Sequence, residues 1–122
     1  MVESILDSVK SQLGLSVSDT SFDDELLIHI NSAFTSLDIL GLPGAGAFSI
    51  TDNVTEWSTI LPVEPNQNHV KTYVFLKVKL IFDTPQNSFL VKAIEDQIEK
   101  LESLIQIQAE NAIILAAEEA VT

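Results

Sequence analysis

The chain has 122 residues, and its 18 acidic residues face six lysines and no arginine, for a formal net charge of −12. That length fits one domain, and a hydrophobic content of 46% supplies a core and excludes a chain disordered by composition. Tight nucleic-acid binding needs lysine and arginine set against phosphate, so the charge balance argues against it, and the absence of cysteine excludes disulfides and thiolate metal sites.

The start, MVESILDSVK, is acidic and amphipathic, without the basic-then-apolar order of a signal peptide. No apolar stretch approaches a membrane span, so a soluble protein made in the cytoplasm is expected. Ser4 to Leu13 predicts a first helix, with Ile5, Leu6, Val9 and Leu13 on one side and Gly14 as its stop. Leu15 to Ser21 reads as a polar loop.

Asp23 to Leu40 predicts a longer amphipathic helix. Around Ile30, the residues Leu26, Leu27, Ala33, Phe34, Leu37 and Leu40 fall within about 80°, a broad core-facing stripe. Asp23, Asp24 and Glu25 occupy the first turn, where the helix dipole favours negative charge. Phe22 stands where a staple residue would pack back on Leu26 or Leu27. On the opposite face Ile28, Ser32, Thr35 and Ile39 form a second row spaced 4, 3, 4. That row reads either as two scattered exposed isoleucines or as a seam against a neighbouring subunit, and the seam is preferred. His29 lies on the flank of the core stripe with no second ligand one turn on, so it reads as a boundary side chain and not a metal ligand.

Gly41 to Ile50, GLPGAGAFSI, reads as a glycine-containing connection. It lacks the Gly-Lys-Ser/Thr ending of a phosphate-binding loop and has no strand before it. Thr51 to Leu61 predicts a short helical turn, with Asn53 and Glu56 as a capping box and Trp57 as a core anchor. Pro62 and Pro65 frame a turn.

Asn66 to Asp83 carries two patterns. Val74, Leu76, Val78 and Leu80 alternate as in a strand, whereas Val70, Val74, Val78 and Ile81 share one face of a helix. The length of the apolar pattern favours a helix, and this should be the most buried element, with Lys77 snorkelling at its edge. From Ser88, with Ser88 or Asn87 as the cap, helical character runs to about Ala120, a helix on the order of 50 Å long. Ile94, Ile98, Leu101 and Ile105 make a 4, 3, 4 seam that continues through Gln108, Ala112 and Leu115. The fold class is therefore all-α: a small helical bundle with a long C-terminal helix and a glycine-containing loop after the second helix. Residues 1–105 read as the helical domain and 106–122 as a C-terminal arm, whose end, Ala109 to Thr122, fits a frayed tail, a coiled-coil arm or a segment that docks into a partner and orders there. No catalytic constellation or cofactor motif is present, and the acidic residues near Asp19 to Glu25 fail the calcium-loop spacing. The chain does not read as an enzyme.

FDDELLIHINSAFTSLDILG, then FSITD followed by Trp57, then KTYVFLKVKLIFDTPQNSF, together resemble the small head–tail connector, or adaptor, proteins of long-tailed bacteriophages. The resemblance spans roughly Ile5 to Leu104. It implies a virion protein of the neck that assembles as a ring, a dodecamer in that family. The ring would sit beneath the portal, present its other face to a stopper or tail-completion protein, and let DNA pass through its lumen without specific binding. Because the C-terminal region contacts the portal in that family, the resemblance nominates Ile107, Ile113, Ile114, Leu115 and Val121 as a docking arm. The rival readings are a small acidic DNA mimic that inhibits a DNA-binding enzyme, and a generic helical oligomerisation module.

Overall fold

The computed structural model describes residues 4–41, 50–57 and 66–121, with the side chains of 66, 67, 109 and 111–121 outside that description. The described residues hold four helices, α1 (Ile5–Gln12), α2 (Asp23–Ile39), α3 (Asn66–Phe82) and α4 (Ser88–Val121), and the segments between them. Among the described residues no strand forms beyond one isolated antiparallel bridge between Ser4 and Glu56. The all-α expectation holds, and each helix lies within a residue or so of the bounds that periodicity gives.

Helix ends follow from local chemistry. The Ser4 hydroxyl caps α1 by accepting the Asp7 amide at 3.1 Å. Gly14 closes it at a positive φ of 79°. The Gly14 amide donates to the Ser11 carbonyl and the Leu15 amide to the Lys10 carbonyl, the paired bonds of a Schellman stop. Gly41, φ 99°, ends α2 in the same left-handed region and donates to the Asp38 carbonyl. Asn87 caps α4, its side-chain oxygen accepting the Phe89 amide at 2.8 Å.

Two local expectations are corrected. Phe22 itself occupies the N-cap position of α2 with no side-chain cap bond. Its ring turns to the Phe82 ring, edge-on at 5.3 Å, because the antiparallel α3 offers an aromatic partner at that end. Nor do Asn53 and Glu56 make a capping box. The Asp52 carboxylate takes that place, accepting the Val54 and Thr55 amides and the Thr55 hydroxyl, while Glu56 lies in the bridge to Ser4. The glycine connection at 42–49, Pro62, Pro65 and the end of the helical turn expected at 51–61 lie outside the described residues.

α3 is packed on α2 along one side and on α4 along another. Helical spacing wins over strand alternation in α3 because Val70, Tyr73, Val74 and Val78 face inward together. These four, with Ile5, Leu6 and Val9 of α1 and Leu26, Ile30, Ala33, Phe34 and Leu37 of α2, are all at most 1% exposed. α2 and α3 therefore share the role of buried centre that the sequence reading gives to α3 alone. α4 is more peripheral: it buries Ile98 and Ile105, with Ile94 and Leu101 half-buried against the same cluster.

Segment 50–57 is tied down from three directions. Asn31 on α2 donates its amide to the Ile50 carbonyl and accepts the Ile50 amide, at 3.0 and 2.9 Å. The Ile5 amide donates to the Thr55 carbonyl. Trp57 is buried, edge-on to Phe34, and its indole N–H donates to the Ser8 hydroxyl at 2.8 Å. The expected core anchor is thus in place.

Candidate assembly surfaces

The second row of α2 faces away from the core. Ile28 is 65% and Ile39 79% exposed, and Ser32 and Thr35 between them are also exposed. The Thr35 hydroxyl donates back to the Asn31 carbonyl, so its polarity is met within the helix. The result is two apolar posts about 16 Å apart on a floor of small side chains. Asp24 and Glu25, both exposed, flank Ile28 one turn earlier. Ordinary surfaces carry single exposed isoleucines; two on one row, far from any core contact, form a usable strip.

The second feature is the length of α4. The Tyr73 hydroxyl donates to the Glu102 carboxylate at 2.9 Å and is also reached by the Ser36 side chain of α2. Burial first, then Glu102, pushes the Tyr73 phenol well above its ordinary range. This contact sets the level of the helices. Seven residues toward its N-terminus from Tyr73, α3 ends at Asn66, and α4 passes that level near residue 109 and continues to Val121. About a dozen residues, roughly 18 Å of helix, project beyond α3. Of the nominated docking residues, Ile107 is 54% exposed at the root of this projection. Ile113, Ile114, Leu115 and Val121 belong to the helix, but their side chains lie outside the described residues.

The lysines are placed unevenly. Lys10 is buried, donating to the Asp23 carboxylate at 2.8 Å and to the Val17 carbonyl at 2.9 Å. Sequence reasoning missed it, although Lys10 stands one turn from both Leu6 and Leu13 on the apolar stripe of α1. Lys71 lies over the Trp57 ring and Lys77 over the Tyr73 ring. Lys79 and Lys92 make exposed one-turn pairs with Asp83 and Asp96.

A cleft of about 310 Å³ between α1 and α3, lined by Ser8, Gln12, Trp57, Lys71 and Phe75, holds one cation and no arranged acid, base and nucleophile. His29 is largely buried, with Nε2 3.5 Å from Glu25. Among the described residues no group of three metal-ligating side chains converges, and no helix is long and apolar enough to cross a membrane. The features that stand out are outward-facing helical surfaces, which suit contact with other macromolecules.

Comparison with curated proteins and with solved structures gives no match. The family described as phage connector protein matches residues 5–112, which takes in all four helices up to the projecting end of α4. On that match, over nearly the whole chain, this protein belongs to the phage connector protein family.

Proposed function

We propose that the chain is the adaptor subunit of a tailed-phage neck. Copies assemble head-to-tail into a ring, one face of the ring binds the portal at the capsid vertex, and the other receives a stopper or tail-completion protein. The observation that carries this reading is the outward Ile28–Ile39 strip on α2 of a family member, with the length of α4, which runs on past the level of Asn66, as its support. A heterologous contact closes into a ring when its rotation fits, and a projecting helix reaches a neighbour without disturbing the core.

The net charge of −12 has a role in this assembly. A ring of such subunits presents a negative lumen that repels phosphate and lets DNA slide. The work is mechanical, and no cofactor enters it. Residues 1–105 act as the ring-forming domain and 106–122 as the arm; Ile107, at the root of that arm, stays beside the bundle, and the helix beyond it docks into the portal.

Light scattering on the purified protein, alone and mixed with the portal assembly encoded with it, tests the reading. A ring-sized addition of mass to the portal is the expected result. A protein that stays a monomer or dimer and ignores the portal overturns it.

A further inference from the structure

Resting on the ring reading, we propose that the α2 strip of one copy packs against the outer face of α4 on the next copy. That outer face is the row Phe89, Ala93, Asp96, Lys100, Ser103 and Ile107, spaced 4, 3, 4, 3, 4 and exposed throughout. It lies roughly 150° around the helix from the buried Ile98 and Ile105. Its two ends are apolar, with Phe89 78% and Ile107 54% exposed. The α2 row is shorter, with isoleucine at each end and small polar side chains between.

Levels and charges decide the pairing. Ser36 of α2 and Glu102 of α4 meet the same Tyr73 hydroxyl. Both helices run antiparallel to α3, hence parallel to each other. Counting about 1.5 Å per residue from that contact, Ile39 stands level with about residue 105 of α4, and Asp24 with about residue 90. A neighbour generated by rotation about an axis along the helices keeps those levels. Ile39 then meets Ile107, while Asp24 and Glu25 meet Lys92.

The charge balance favours this over α2 meeting α2. In a chain of net charge −12, the register of a contact between copies is favoured where a cation of one meets the acids of the other. Lys10 is buried, Lys71 and Lys77 cover aromatic rings, and Lys79 lies beside Asp83. The two remaining lysines, Lys92 and Lys100, both lie exposed on α4. The Lys92–Asp96 pair is long, at 3.4 Å, and open to water, so exchange of partner costs little. An α2–α2 contact would instead set Asp24 and Glu25 against their own copies.

The chain has no cysteine, so introduced cysteines report this contact cleanly. Ile39→Cys and Ile107→Cys variants are purified separately, mixed, added to the portal assembly and mildly oxidised. The expected result is a disulfide-linked dimer in the mixture and in neither variant alone, and a ladder of higher species from the double variant. Self-linking of Ile39→Cys, or a ring-sized assembly that never cross-links in the mixture, overturns the pairing while leaving the ring in place. A protein that stays monomeric beside the portal removes the ring itself, and the mass measurement tells these cases apart. A charge swap gives a second readout: Lys92→Glu should weaken self-association by roughly fivefold, and adding Asp24→Lys should recover most of it. Absence of recovery counts against the pairing.

Discussion

Lys10 and Tyr73 show how single polar groups hold this bundle. The Lys10 ammonium joins α1, the 15–22 loop and the start of α2 through two bonds. Removing one member of such a pair strands the other, but the Asp23 side chain keeps some access to water at 19% exposure. Lys10→Met should therefore cost about 2 to 4 kcal/mol, somewhat less than the roughly 3 to 5 kcal/mol of a fully buried pair that loses one partner, measurable by urea unfolding. Tyr73 makes a prediction with a defined sign. Its folded phenol is raised above the ordinary value, so the native state holds its proton where the unfolded chain begins to lose it. The stabilisation is whole below about pH 10 and falls as pH rises beyond it. Tyr73→Phe should lower stability by about 1 kcal/mol at neutral pH and flatten the part of the alkaline decline that is due to this phenol. Parallel urea titrations of the two proteins between pH 8 and 11 give that difference.

At the scale of elements, the helices were legible because their apolar residues repeat at helical spacing and their ends carry Ser4, Gly14, Gly41 and Asn87. The α2 strip was legible too, since a row opposite the core stripe has nowhere to point but outward. What escaped were contacts made between elements. Asn31 carries no periodic signal, yet it clamps Ile50 from 19 residues away. Lys10 breaks the apolar pattern it sits in, because its partner comes from the next helix. Asp52 displaced Asn53 as the turn former because a carboxylate accepts the Val54 and Thr55 amides and the Thr55 hydroxyl together. The outer row of α4 hid behind the many acids of that helix. The clamp yields a prediction of its own. Asn31→Ala removes both bonds to Ile50 and should destabilise the fold by about 1 to 3 kcal/mol. Hydrogen exchange at the Ile50 amide should rise by more than at the amides of α3, since segment 50–57 loses its tie to α2 first. Equal acceleration everywhere would mean that the clamp serves the whole core and not this segment.

For the whole molecule, assembly has to overcome charge before contacts can form. Two copies approach with 12 net negative charges each, and this long-range repulsion is screened over about 10 Å at 0.1 M salt and about 3 Å at 1 M. The Lys92 contacts proposed at the interface act in the opposite direction, but an exposed pair contributes at most about 1 kcal/mol, less than the summed repulsion of two such surfaces at low salt. The apolar posts Ile28, Ile39, Phe89 and Ile107 are not screened at all. Self-association of the free protein should therefore strengthen as sodium chloride rises from about 0.05 M to 0.5 M, across the range where the screening length shortens. Sedimentation velocity at fixed protein concentration measures this. Ile28→Lys with Ile39→Lys should abolish the effect and leave a folded monomer, because both positions lie outside the core. Association that weakens with salt would show that ion pairs, not the apolar strip, dominate the contact. The same reasoning gives the portal its part. On the adaptor reading proposed above, a partner that captures α4 would hold copies side by side at high local concentration, so that a chain too acidic to gather freely would form its ring where the portal gathers it. Deleting Asn111 to Thr122 removes that projection and leaves the packed bundle. The truncated protein should still self-associate at high salt, yet add no mass to the portal at low salt. Undiminished portal binding would place the docking surface on the bundle itself.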